Sequence, residues 1–338
     1  MAAWAAGAGT LGRFAAGCTG RDAARTASGL ERELRILAPR GAFDSELLDR
    51  FGADTGVRVS LEQYSARPGV TAPPADGGFD LIAFRGPAAG PLAAAGRIAA
   101  VDRSLIPRLD GLLPLFRQAG SELLAVTWSW DATGVAWRAA QLPDIPGASP
   151  TTWCVFFEPS LSGRMTMLDD PREVLGAMLL LRARSVNATD ASLLQQARDD
   201  ALACRPYLEG YRSRGAVPFM PDGIVVSQAR SSDAARAMKS EPGISFAIPK
   251  EGGPLFAEQV GLAAAAPHPR AAHAFIDYIL RPETSARLAA ATGRYSPLAG
   301  GVSAGSAPAL PLDRLEPVID AGEASSLYDR YWTEIQSA

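Results

Sequence analysis

Lysine is nearly missing from this chain. Lys239 and Lys250 are the only two, and arginine carries almost all the positive charge. The bias accompanies heavy use of alanine and glycine and fits a GC-rich coding sequence better than a chemical task. A basic surplus is lacking too: the net charge of -3 offers no footprint for nucleic acid, so no nucleic-acid partner is expected. Histidine is confined to His268 and His273, five residues apart beside Pro267 and Pro269, a spacing that suits no metal. With no nucleophile elbow, phosphate loop or supported Cys–His pairing, neither catalysis nor a cofactor is expected. Gly7-Ala-Gly-Thr-Leu-Gly12 spells a dinucleotide fingerprint, but no strand precedes it and it is rejected. Past the N-terminus no apolar run reaches the about 18 residues that would suggest a membrane helix, so a soluble body, tethered at most, is expected.

What is present is ordinary for a globular protein. The 338 residues are 47% hydrophobic and 20% charged, enough for two domains or two lobes with separate cores. The N-terminus reads as a targeting signal: Phe14-Ala-Ala-Gly-Cys18 resembles a lipoprotein cleavage box, at which the cysteine is lipidated. No basic region precedes it and Arg13 interrupts it, as a start codon placed too late would leave it. Residues 1–32 are therefore expected to be leader and linker, with Cys18 as lipid anchor at a periplasmic or cell-surface location. Cys154 and Cys204 are expected to be unpaired buried thiols, since spacing alone brings no two Cα atoms within disulfide reach.

Strand and helix signals alternate along the chain. Strands are expected at 34–38, 57–61, 79–84, 98–101, 123–128, 134–137, 223–227 and 244–248. Helices are expected at 43–55, 174–181, 190–210, 232–239, 270–280, 282–291 and 328–335, with loops at 67–78 and 143–150. Such alternation implies a doubly wound α/β architecture that binds its ligand at strand carboxyl ends. The most informative stretch is Met167-Leu-Asp-Asp-Pro-Arg-Glu-Val174, at a strand-to-helix junction. Pro171 fits the first helical turn, and Asp170 and Glu173 at i, i+3 share it. The pattern serves as an N-cap with a capping-box glutamate, and equally as a pair of carboxylates for an amine-bearing ligand.

This acidic segment resembles that of the spermidine/putrescine-binding proteins of polyamine ABC importers. The likeness extends to Phe79-Asp-Leu-Ile82, Pro150-Thr-Thr-Trp153, Ile248-Pro-Lys-Glu-Gly-Gly253, Ala274-Phe-Ile-Asp-Tyr-Ile-Leu-Arg-Pro282 and Ala324-Ser-Ser-Leu-Tyr-Asp-Arg-Tyr331, in the family's order. The resemblance implies a type II periplasmic binding protein: two α/β lobes, a hinge crossed more than once, and a solute between them. Lobe 1 would comprise 33–130 and 253–298, and lobe 2 131–252 and 299–338. It also implies a monomer that hands its solute to ABC permease subunits in the membrane.

Family members hold the polyamine stem among aromatic rings and fix its ammonium ends with carboxylates. The matched carboxylates Asp170, Glu173 and Glu258 are kept, while the aromatics mostly are not. The strand motif reads Pro39-Arg-Gly-Ala-Phe43, Arg85 and Pro87 stand for a Ser and a Tyr, and Arg230 stands for a Trp. Phe256 replaces the Trp ahead of Glu258, and Arg294 joins the expected Tyr295. A guanidinium a few Å from an ammonium repels it by about a few kcal/mol at an effective dielectric of about 20. Unless the arginines pair with the carboxylates, the site would suit a zwitterionic or anionic solute instead, such as an amino acid or a phosphonate. A ferric-ion receptor of similar shape would need adjacent tyrosines, and only Tyr328 and Tyr331 approach that pattern.

Overall fold

The computed structural model describes residues 29–65, 77–117, 122–142, 149–212, 220–300 and 309–338. The expected leader and Cys18, and most of the two expected loops, lie outside the described residues. The first stretch of chain gives β1 (Glu33–Pro39), α1 (Ser45–Thr55), β2 (Arg58–Tyr64), β3 (Leu81–Arg85), α2 (Ala89–Ala94) and β4 (Ile98–Ala99). The long strand β5 (Val126–Arg138) leads into β6 (Met165–Leu168), α3 (Pro171–Leu181), α4 (Ala191–Cys204) and β7 (Leu208–Arg212). Then come β8 (Val226–Arg230), α5 (Ser231–Ser240), β9 (Ile244–Ala247) and β10 (Gly253–Ala263). The chain ends with α6 (Pro269–Ile279), α7 (Pro282–Thr292), β11 (Leu315–Pro317) and α8 (Ser325–Ser337).

The strands run β2-β1-β3-β10-β5-β8-β6-β7, with β4 and β11 beside β10 and β9 beside β5. β1 is parallel to β2 and β3, and β6 is parallel to β7 and β8. Between these parallel halves lie the two longest strands, β10 and β5, antiparallel to each other. The first half of β5 pairs β10 up to Ala132, and its second half pairs β8 from Thr133. Glycine is required where the strands change partners. A Cβ on Gly134 would stand 2.4 Å from the Ala247 carbonyl oxygen, and one on Gly253 2.4 Å from that of Thr133.

Two large apolar clusters flank this crossing. One gathers β1, α1 and α6, with Phe43 set between Trp128 and Phe275; the other gathers α3, α4 and α8 around Trp153. Helix α1 starts where Asp44 accepts the Leu47 N–H at 2.7 Å and ends at Gly56 in the left-handed conformation.

Several expectations need correction. The strands expected at 123–128 and 134–137 are one continuous strand, because Ser129, Asp131 and Thr133 alternate with Trp128, Trp130 and Ala132 in a period of two. The helix expected through residue 210 stops at Cys204, where Pro206 ends it, and the chain turns into β7. The strand expected at 223–227 lies three residues later and carries Arg230 as its last residue. Strand β10 was not anticipated. Both thiols are free, but only Cys204 is buried, which pushes its thiol up to about 12; Cys154 is exposed.

Candidate functional site

The crossing of β5 and β10 brings together residues far apart in sequence. Directly opposed residues of an antiparallel pair share a sheet face. Glu258 lies between Arg85 on β3 and Ser129 on β5, Phe256 lies opposite Asp131, and Arg230 lies opposite Thr133. Onto this face comes the N-terminus of α3. Asp170 caps it by accepting the Arg172 N–H at 3.0 Å, and Pro171 opens the first turn. Glu173 does not close a capping box. Its side chain, fully buried, accepts a hydrogen bond from the Arg230 guanidinium.

The remaining arginines also lie against carboxylates. Arg85 sits 3.7 Å from Asp170 and 3.9 Å from Glu258, and Arg294 sits 3.7 Å from Glu258. Phe256 is the apolar centre: the guanidiniums of Arg85 and Arg230 lie 4.5 and 4.2 Å from its ring centroid. Burial pulls the Arg230 pKa down, but Glu173, Asp131, Asp170 and Glu258 outweigh it and hold the group above its ordinary value. Tyr295 stacks on Trp130 at 4.5 Å, and burial, reinforced by Asp131, raises its hydroxyl pKa.

The rest of the acidic segment turns elsewhere. Asp169 accepts from Gln336, while Arg172 donates to Ile319, Val186 and Asn187 and lies over the Tyr328 ring. Tyr328 donates to the Ala188 carbonyl, and Tyr331 lies under Arg198 and Arg330, so the pair considered as ferric ligands is used in packing. Among the described residues no group of three His, Cys, Asp or Glu side chains could hold a metal ion. Among the same residues no helix is long and apolar enough to cross a membrane.

A model of bacterial extracellular solute-binding proteins matches residues 46–309. This chain belongs to that family. Among its relatives, this solute-binding protein is 25% identical over 315 residues to spermidine/putrescine-binding periplasmic protein 1 of Haemophilus influenzae, covering 86% of this chain and 85% of that one. It is 27% identical over 319 residues to the putrescine/cadaverine-binding protein of Pseudomonas aeruginosa, covering 86% and 90%. In three dimensions it matches the TpPotD lipoprotein of Treponema pallidum with a TM-score of 0.77 at 22% identity, covering 90% and 100% of the two chains. The fold is the two-lobed α/β arrangement of type II periplasmic binding proteins.

The ligand-binding residues that the sequence nominated in this solute-binding protein stand in or beside one cluster: Asp170, Glu173, Glu258, Phe256, Arg230, Arg85 and Tyr295. Phe43, in the strand motif matched to the family's first aromatics, is core, and Arg40 beside it is exposed. Sequence reasoning missed Asp131. Its carboxylate accepts from the Ser231 hydroxyl at 2.5 Å, the Ser232 N–H at 3.1 Å, the Ser232 hydroxyl and the Ala132 N–H at 3.0 Å. The polar alternation of Ser129, Asp131 and Thr133 was the signal that could have found it.

Proposed function

We propose that this protein is the extracytoplasmic receptor of an ABC importer. It captures an amine-bearing, polyamine-like solute between its lobes and delivers it to a membrane permease. The observation that carries this reading is the convergence of Asp170, Glu173 and Glu258, from a helix N-terminus and a crossing strand, around one aromatic ring. Carboxylates attract an ammonium, and the buried Phe256 ring carries the Arg85 and Arg230 guanidiniums beside them. Two relatives, a spermidine/putrescine-binding and a putrescine/cadaverine-binding protein, support the same class.

The zwitterionic or anionic alternative is weaker on physical grounds. Arg85, Arg230 and Arg294 each lie against a carboxylate of the site, and an anionic solute would have to break these pairs. The lobes are taken as 33–130 plus 253–298 and 131–252 plus 299–338. Monomeric action and a periplasmic or lipid-anchored location through Cys18 belong to the same reading.

A thermal-shift panel of polyamines, monoamines, amino acids and phosphonates tests it. A bound amine at 100 times its dissociation constant stabilises the fold by about 2.7 kcal/mol, and Asp170→Asn reduces that to about 1.4 kcal/mol or less at the same concentration. Stabilisation by net-neutral amino acids or by phosphonates alone would refute the amine reading.

A further inference from the structure

The charges of the cluster do not cancel. The carboxylates that act on Arg230 are Asp131, Asp170, Glu173 and Glu258. Three guanidiniums stand against these four: Arg230 on Glu173, Arg85 on Asp170 and Glu258, and Arg294 on Glu258. Neighbouring Asp233 is matched by Arg236 and changes nothing. The surplus belongs to Asp131, whose hydrogen bonds come from serine hydroxyls and backbone N–H groups, all neutral donors. Among the described residues in these contacts, one negative charge is left over.

Unused acceptors lie in the same place. Glu173 Oε2, Ser129 Oγ and Thr133 Oγ1 are buried without a hydrogen-bond partner, and beside them so is one donor, Arg230 Nε. Ser129 lies opposite Glu258, Thr133 opposite Arg230, and Glu173 is the partner of Arg230. An ammonium has three N–H donors and suits such a set. A second ammonium would meet a neutralised cluster, beside a Phe256 ring that two guanidiniums already occupy.

We infer that the preferred solute carries a single net positive charge. It is a monoamine, or an amine whose second cationic group is balanced by a carboxylate, and not a free diamine. This refines the amine-receptor reading and rests on it. The arginines set the limit: each replaces one unit of ligand charge with a unit of protein charge.

Titration calorimetry on the full chain with amines built on a four-carbon stem, one of them carrying an added carboxylate, tests the inference. The probes are 1,4-diaminobutane, a dication; 4-amino-1-butanol and ornithine, each of net charge one; and 4-aminobutanoate, a zwitterion. A probe of net charge one should bind wild type at least about tenfold tighter than diaminobutane, as expected for unit charges a few Å apart in a partly desolvated site. Arg85→Gln adds back one negative charge and should reverse the order. Arg294→Gln, at a more exposed position, should shift it the same way and serves if Arg85→Gln does not fold. Diaminobutane as the tightest wild-type ligand would overturn the single-charge inference and leave the amine reading standing. Binding of 4-aminobutanoate alone, or of no amine, would overturn both.

Discussion

Two buried arginines on neighbouring strands are treated very differently. Arg138, at the end of β5, uses every donor nitrogen. Nε and Nη2 grip Glu241 at 2.7 and 3.0 Å, while Nη1 and Nη2 also donate to the carbonyls of Pro221, Ile224 and Met220. Arg230, at the end of β8, binds Glu173, but its Nε has no partner and neither does Glu173 Oε2. Burying a charge is costly unless its hydrogen bonds are satisfied. The saturated arginine therefore ties strand, loop and helix α5 together. The unsaturated one leaves capacity that a solute can use.

Removing the saturated arginine should have the largest effect on stability. Arg138→Met leaves three carbonyls without their donor and should cost about 2–4 kcal/mol in chemical denaturation. Amine affinity should stay within about twofold of wild type once the fold is saturated with native conditions, because no Arg138 contact reaches the carboxylate cluster. A large loss of affinity with little loss of stability would break the distinction between the two arginines.

The Arg230→Met, Glu173→Leu double variant sharpens the same contrast from the other side. Replacing a buried ion pair by apolar groups of similar size is often close to neutral, so stability should change by less than about 2 kcal/mol. Calorimetry should nonetheless register loss of amine binding, since the orphaned Glu173 oxygen goes with the pair.

Asp170→Asn separates capping from recognition. Asparagine caps a helix about as well as aspartate, so unfolding free energy should move by less than about 0.5 kcal/mol. Amine affinity should fall by about tenfold or more, because the charge facing Arg85 and the solute is gone. Equal small changes in both would reduce Asp170 to a cap.

The smallest effect is expected with acid. A hydrogen bond from Arg138 is the main cause that holds the Glu241 pKa below its ordinary 4.5. A depressed carboxylate contributes stability above its unfolded pKa and loses it as pH falls through the folded value. Stability measured downward from pH about 5 should therefore decline less steeply in Glu241→Gln than in wild type. The difference should be modest, because the Glu241 side chain is 46% exposed and solvent screens the pair.

Much of this is legible in the sequence alone. The junction at Asp170 and Glu173 is local chemistry: a capping carboxylate, a proline at the first helical position and an apolar helix behind them. Glu258, Phe256, Arg85 and Arg230 could be nominated because their segments align with a known family. The individual roles of Asp170 and Glu173 could not be separated, since the i, i+3 spacing suits a capping box and a ligand site equally well. Structure divides them: Asp170 caps, and Glu173 turns to Arg230.

The chain's own residues determined the alternation of strand and helix, the acidic junction and the set of charges available to a solute. These rest on periodicity, capping and side-chain chemistry, which act over a few residues. Only the tertiary structure decided which arginine meets which carboxylate. Arg230 lies 57 positions from Glu173, and Arg85 lies more than that from both Asp170 and Glu258. Their approach depends on β5 passing from β10 to β8 and on glycines at 134 and 253 that let the backbones close. Long-range strand register sets those distances, and no local pattern encodes it.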